Sequence, residues 1–469
     1  MKALSPFRHC IIVNTNALPR PSAARRLPGA LSVGVCAARG MVRAGLLAIL
    51  VAAPAVGWAL DLDLGPFTLT GFAKAEAIRG SNNCSDCQLF PDEDKQRYWA
   101  DELVPGRPYG TETSTVTLFQ PYLGAQFDLG EGFRLYGLLS QRWRDGKVDV
   151  PGYLYEANIA ISHEDYGSLR VGSMTTRGWS LADYPYGSDV GLAFEWADSG
   201  AAYGLLKYAA RYTSRTFDVG GGDLVLEATY SPGDTAFKIN KPMFWEFWAQ
   251  YRKGDLGLDF ILQDTRNGRP VAFGQSPFSS LTTNPDDDSK LGSSGQGMAM
   301  LMGRYEIGSG WEVSGGIRRN HWSGAYAVLT TPPTPTQPGQ WNAMFNVDWG
   351  GTRNGVPNPG YSATSVDFLL GLRYRFGRWI AATGMAYLGK ASTDNPSERG
   401  QSNWATFNTV GLQYDVGYGI FVYGLGGFVH YGRLGLSPMS MPSNSAFTNV
   451  DSRVTQNGNW FGIGTVFVF

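Results

Sequence analysis

Trp460-Phe461-Gly462-Ile463-Gly464-Thr465-Val466-Phe467-Val468-Phe469 closes the chain. Phe461, Ile463, Thr465, Phe467 and Phe469 fall on one face at a period of two, and Gly462, Gly464, Val466 and Val468 fall on the other. That period belongs to a β-strand whose two sides meet different surroundings. An edge this apolar, left open in water, would template aggregation, so the strand needs a partner. A strand of the same type begins at Phe67. Pairing the first strand with the last closes a sheet into a barrel.

The same alternation runs back through the chain. It is strongest after Gly130-Glu131-Gly132, where Phe133, Leu135, Leu139 and Trp143 oppose Arg134, Tyr136, Ser140, Arg142 and Arg144. Strands are expected at 67–79, 114–129, 133–144, 153–163, 168–173, 207–217, 223–230, 243–252, 256–264, 298–306, 311–320, 364–376, 379–388, 404–415, 420–431 and 460–469. That makes about 16 strands joined by about seven short Gly-bearing turns and about eight longer connections. Short turns on one side, long loops on the other and an even strand count describe a closed antiparallel transmembrane β-barrel. Closure is demanded by hydrocarbon, where every backbone N–H and C=O must find its partner inside the protein. Aromatic residues near strand ends, such as Trp245, Phe247 and Tyr251 or Tyr374, Phe376 and Trp379, suit the two membrane interfaces. A soluble β-sandwich fits less well. Its packed interior would have to hold the arginine-rich face, or its surface the apolar one.

Composition agrees: the 469 residues include 61 Gly and 13% aromatics but only 4 His, which suits turns and interfacial rings better than a helical enzyme. Residues 1–59 carry Lys2, Arg8, Arg20, Arg25, Arg26, Arg39 and Arg43 and no acid. Setting those seven aside from the 39 basic residues leaves 32 against 40 acidic ones, so the body carries about −8 and nucleic acid is not an expected partner. The apolar run at 44–56 follows Met41-Val42-Arg43 and leads to small residues ending at Ala59. This is the pattern of a secretory signal peptide, too short for a membrane-spanning helix of about 18–20 residues. Cleavage is expected after Ala59, and Met41 reads as the true start. The expected organisation is an upstream segment plus signal peptide at 1–59 and one barrel domain at 60–469.

The order and spacing of Phe67-Thr68-Leu69-Thr70-Gly71-Phe72, Gly167-Ser168-Leu169-Arg170-Val171-Gly172, Ala210-Arg211-Tyr212-Thr213-Ser214, Val410-Gly411-Leu412-Gln413-Tyr414 and the terminal Phe469 resembles the general porins of Gram-negative outer membranes. The resemblance covers essentially residues 60–469. It implies an outer-membrane location, short periplasmic turns, long extracellular loops and a third long loop folded into the lumen. It also implies a homotrimer, and a terminal aromatic, Phe469, read by the outer-membrane assembly machinery. The expected activity is passive diffusion of ions and small hydrophilic solutes, without cofactor, metal or catalysis.

The stretch 173–206 falls where the resemblance puts the inward loop, and it supplies Asp183, Asp189, Glu195 and Asp198. Inward strand positions supply Arg134, Arg142, Arg144, Arg170 and Arg211 with Lys74, and further round Arg252, Arg318, Arg373 and Arg375. A basic wall facing an acidic loop sets a transverse field at a constriction. Its expected outcome is weak charge selectivity. Trp179, Tyr184, Tyr186, Phe194 and Trp196 allow a second reading, a channel specific for sugars or aromatic acids that stack on rings. A barrel enzyme is the remaining rival. His163, His321 and His430 lack a recognisable nucleophile motif around them.

Cys84 and Cys87 lie two apart in the first long loop; Cys10 and Cys36 fall in or before the signal, so half a zinc site is missing. A small loop disulfide is expected in an oxidising envelope. Asp286-Asp287-Asp288 lacks ordered calcium-loop spacing and reads as a solvated tip, and the Pro-rich 331–338 as extended cover.

Overall fold

The computed structural model describes residues 65–80, 112–148, 154–178, 205–233, 241–266, 294–324, 327–331, 340–343, 352–353, 356–357, 361–390, 392–393, 404–431 and 457–469. Apart from two short two-stranded pieces, 327–331 with 340–343 and 352–353 with 356–357, they form a closed antiparallel barrel of 16 strands. The first eight are β1 (Phe67–Gly80), β2 (Glu112–Gly130), β3 (Phe133–Ser140), β4 (Glu156–His163), β5 (Gly167–Thr175), β6 (Leu205–Thr213), β7 (Gly222–Ser231) and β8 (Met243–Lys253). The second eight are β9 (Leu256–Arg266), β10 (Ser294–Gly308), β11 (Trp311–Gly324), β12 (Tyr361–Phe376), β13 (Trp379–Leu388), β14 (Ala405–Gly417), β15 (Ile420–Tyr431) and β16 (Asn457–Val468). Each pairs with its sequence neighbours, and short pieces such as Trp143–Arg144 and Phe217–Val219 extend the ladders of β3 and β6.

The seam is where the terminal stretch goes. β16 lies antiparallel to β1 from Phe72↔Val468 to Gly80↔Trp460. The Gly71 N–H donates to the Phe469 carbonyl at 2.9 Å, and the Phe469 N–H donates back to Gly71 O at 3.0 Å. The Phe469 ring stacks beside Phe119 of β2, centroids 6.1 Å apart. No sheet edge remains at the join, as hydrocarbon requires.

Three of the short turns share one sequence pattern and one geometry. Asp128-Leu129-Gly130-Glu131-Gly132, Glu306-Ile307-Gly308-Ser309-Gly310 and Asp415-Val416-Gly417-Tyr418-Gly419 each follow acid-x-Gly-x-Gly. In all three the register slips by one residue between the acid and the first glycine, and the last three residues have positive φ. The Asp128 and Asp415 carboxylates each accept the first glycine's N–H at 2.8 Å. The bulge adds twist where the chain reverses.

Alternation then sorts the side chains. Ile317, Leu370, Val410, Phe461 and Ile463 are exposed on the outside of the barrel, and their strand neighbours Arg318, Leu369, Thr409, Trp460 and Gly462 are buried on the inside. Rings collect at both rims. On the short-turn side Trp311 stacks on Tyr374 at 4.3 Å and Trp379 lies 4.6 Å from Tyr414; toward the long connections Tyr230 meets Trp245 at 4.5 Å. Such amphipathic rings belong at headgroup level, flanking an apolar belt.

Candidate functional site: the inner wall

Any inward-facing side chain on this barrel belongs to the wall of its lumen, and strand parity decides which residues those are. On β7 the parity that turns Ala228 and Tyr230 outward turns Glu227, Thr229 and Ser231 inward. On β8 the outward Trp245 and Phe247 leave Phe244, Glu246 and Trp248 inside. On β6 the inward set is Leu206, Ala209 and Arg211.

These neighbours assemble a charged cluster on β4 to β9. The Arg211 guanidinium stands 3.1 Å from Glu227 and 3.6 Å from Glu246, and it donates to Thr229 Oγ1 at 2.9 Å and to the Thr175 carbonyl at 2.8 Å. Arg177, two residues beyond the end of β5, forms a two-pronged pair with Glu227, both bonds 2.6 Å. Its own backbone N–H donates to Glu246 Oε1 at 2.8 Å, and the Gly178 N–H donates to Glu246 Oε2 at 3.2 Å. The Arg177 guanidinium lies 4.6 Å from the Trp248 ring centroid, a cation–π contact. Thr213 and Gln263 donate to Glu227 and Glu246 respectively and fix the carboxylates' orientation. Arg170 sits directly across from Arg211 in register, and Glu156, which accepts from the Thr175 hydroxyl at 3.3 Å, interacts electrostatically with both arginines. The cluster thus sets Arg170, Arg177 and Arg211 against Glu156, Glu227 and Glu246.

The rest of the wall follows the same rule of compensation. Arg318 and Asp367 pair at 2.8 Å with both side chains fully buried, and Asp367 also accepts from Asn320 and from the Gly389 N–H. Arg373 and Arg304 share Glu312 at 2.7 and 3.8 Å, and Arg252 meets Asp259 at 3.2 Å. Apolar side chains fill the intervals. Met174, Leu206, Ala209 and Phe244 form one inward cluster, and Phe72 packs against Val116 and Leu118 in another.

The structure separates the expected basic residues by depth and partner. Arg211 and Arg170 meet in the cluster. Arg142 lies elsewhere on the inner wall, donating to the Tyr155 hydroxyl at 3.1 Å. Arg144 is on the Trp143–Arg144 extension, paired in register with Leu118 and Lys147. Lys74 is 3.8 Å from Glu76, whose carboxylate accepts from the Tyr423 hydroxyl at 2.6 Å. Arg134 follows the short turn at 131–132 and stands half-exposed 3.6 Å from Glu164. Asp183, Asp189, Glu195, Asp198, the five aromatic residues at 179–196, Cys84, Cys87 and Asp286–Asp288 lie outside the described residues. Sequence reasoning missed the acidic half of the wall. Its signal was present, since Glu227 and Glu246 alternate with Ala228, Tyr230, Trp245 and Phe247. His163 sits at a short turn, stacked 4.6 Å from Tyr166 and hydrogen-bonded to the Glu131 carbonyl and the Asp165 N–H. Among the described residues no group of acids, histidines and cysteines is arranged to hold a metal ion.

No protein-family model matches the chain, and neither does any curated protein. Solved structures do match. A loop L8 deletion mutant of OmpT, an outer membrane protein of Vibrio cholerae, superposes with a TM-score of 0.52 at 14% identity over 86% of this chain and 100% of that one. An anion-selective porin from Comamonas acidovorans gives 0.52 at 13% identity, over 86% and 99%. The trimer form of the Vibrio protein gives 0.50 at 14% identity, over 86% and 99%. At these identities the likeness is one of fold. An apolar exterior, a charge-bearing interior and closure of first strand on last define an outer-membrane β-barrel. Its architecture is that of the Gram-negative porins.

Proposed function

We propose that the protein is a passive outer-membrane pore for ions and small hydrophilic solutes, with weak charge selectivity. The observation that supports this reading best is the pairing of opposite charges along the inner wall of a barrel whose outside is apolar. A wall that pairs Arg211, Arg318 and Arg373 with Glu227, Asp367 and Glu312 carries little net field. Fields from fixed rings of charge bias permeation by sign; balanced pairs bias it little. Purified protein added to planar bilayers is expected to give stepwise conductance, with a reversal potential near zero across a salt gradient. No conductance, or a strongly ion-selective one, would reject the reading.

A substrate-specific channel is the second reading. Its support is the run of rings Trp179, Tyr184, Tyr186, Phe194 and Trp196 in the sequence, which lie outside the described residues. Saturable block of the ion current by a sugar or an aromatic acid would favour it, and linear passage of every small solute would favour the general pore. Hydrolysis of lipid or peptide by the purified barrel would place it with enzymes instead.

The assembly expected in the cell is a homotrimer, a reading supported by the trimeric state named for one structural neighbour. Light scattering in detergent tests it. Cleavage after Ala59 is read out by N-terminal sequencing. Under the proposed Cys84–Cys87 bond, dithiothreitol leaves the conductance unchanged.

A further inference from the structure

We propose that the outer face of β9, β10 and β11 holds the phosphate-bearing headgroup of a membrane lipid, in a notch one strand wide between Arg266 on one side and Arg319 with His321 on the other. The inference rests on the barrel fold and is independent of what passes through the lumen. Burial fixes which way these strands face. Leu262, Leu301 and Ile317 are exposed on the outside, while Ile261, Met298, Met300, Arg318 and Asn320 are buried on the inside. The same parity turns Asp264 and Arg266 of β9, Gly295, Gly297 and Ala299 of β10, and Arg319 and His321 of β11 outward. Register sets them side by side. Arg266 is opposite Gly295, Gly297 lies between Asp264 and His321, and Ala299 lies between Leu262 and Arg319.

The middle strand is thus bare where its neighbours carry long side chains. Adjacent strands lie about 4.8 Å apart, so the notch spans about 10 Å between the backbones of β9 and β11. Packing keeps it open, because a Cβ at Gly297 would come within 2.7 Å of the Gln263 carbonyl oxygen. Glycine inside a strand weakens it, and often marks a place where another group approaches closely. Height puts the notch at the membrane surface. Arg319 follows Trp311, whose ring sits at the short-turn rim, by eight residues on the same strand. That is about 27 Å along the strand, or about 20 Å of height at the usual tilt, against an apolar belt about 25 Å tall. Arg319 therefore stands at the upper edge of the belt, where a long side chain reaches the headgroups. His321 lies two residues further out, and Arg266 is the last residue of β9.

Charge selects the occupant. Exposed Arg266, Arg319 and the His321 imidazole face one exposed acid, Asp264. Among the described residues Arg319 and His321 make no ion pair or side-chain hydrogen bond, and Arg266 donates only through Nε, to the Lys241 carbonyl at 3.1 Å. Guanidinium forks match phosphate oxygens. A lipid phosphate seated here would compensate the arginines, and its acyl chains would run on over Ala299, Leu301 and Ile317 into the belt.

The test is native mass spectrometry of the purified protein in detergent micelles holding equal amounts of phosphatidic acid and phosphatidylcholine. It compares wild type with Arg266→Gln/Arg319→Gln, Arg319→Lys and Ala299→Phe. Every changed side chain faces lipid, so heat-dependent gel migration and bilayer conductance are expected to stay at wild type. Wild type is expected to retain phosphatidic acid in preference to phosphatidylcholine. The double variant should weaken that retention about thirtyfold, at about fivefold for each arginine near a headgroup. Arg319→Lys should keep most of it. Ala299→Phe fills the notch with every charge in place and should lose most of it. Equal retention of the two lipids by wild type, or undiminished retention by the double variant, would overturn the site. Wild-type retention by Ala299→Phe would overturn the notch and leave only diffuse attraction. Release of the lipid by excess inorganic phosphate would make a free anion the occupant and overturn the assignment to lipid.

Discussion

Arg318 and Asp367 face each other with neither side chain exposed, and Asp367 also takes the Gly389 N–H at 3.0 Å and the Asn320 amide at 2.6 Å. A buried pair of this kind contributes little relative to a well-packed apolar one, but halving it strands a charge. Asp367→Ala is therefore expected to destabilise the barrel by about 3–5 kcal/mol. Adding Arg318→Met should recover most of that loss. Thermal unfolding followed by heat-dependent gel migration reads both, and equal melting of the single and double variants would reject the orphan-charge argument. Gly310 makes a different demand. It has φ of 88°, its carbonyl accepts the Arg375 N–H at 2.8 Å, and a Cβ there would collide with the Arg375 carbonyl oxygen. Gly310→Ala should cost about 1–3 kcal/mol in backbone strain, with the further cost of pushing β12 aside. The same melting assay measures it.

The elements were largely legible in advance because a lipid-facing strand must alternate. Trp379–Leu388 and Ile420–Tyr431 begin and end where their apolar and polar positions say they should. Elsewhere the ladders run longer than the pattern, as in β10, which begins at Ser294 rather than 298 because Gly295 and Gly297 pair through backbone that carries no hydropathy signal. Parity also told which arginines face inward. It gave no depth, so Arg134 and Arg211 read alike although one stands at the short-turn rim beside Glu164 and the other within the six-charge cluster. Nor can parity find Arg177, which belongs to no strand and meets its partners 50 and 69 residues away. The acid-x-Gly-x-Gly turns carry a prediction of their own. Asp415→Ala removes the acceptor for the Gly417 N–H and should cost about 1 kcal/mol, the net worth of one hydrogen bond. Asp128→Ala should behave alike at the equivalent turn, and a melting temperature unchanged in both would show the carboxylates to be incidental.

At the scale of the whole molecule, inside and outside are divided by a single layer of backbone, so the same strands serve bilayer and lumen at once. Selectivity measured at two ionic strengths should show this. Raising salt from about 0.1 M to 1 M shortens the screening length from about 10 Å to 3 Å, and the residual sign preference of a charge-balanced wall should fade. Persistence of a strong preference at high salt would point to a dedicated binding site instead. The Phe469 contacts add a second test: a chain lacking that residue loses both backbone bonds to Gly71 and should refold into micelles more slowly and in lower yield. The Tyr423 hydroxyl reaches Glu76 across 347 positions of sequence, beside a join in which β1 must wait for β16. Until the last segment has been made, β1 has raw amide groups on one flank and nothing to satisfy them. A partial product therefore cannot enter hydrocarbon strand by strand. The chain must be kept unsealed, by water or by a chaperone, through nearly its whole synthesis, and a nonsense mutation between 431 and 457 yields an open ribbon with two adhesive borders rather than a smaller pore.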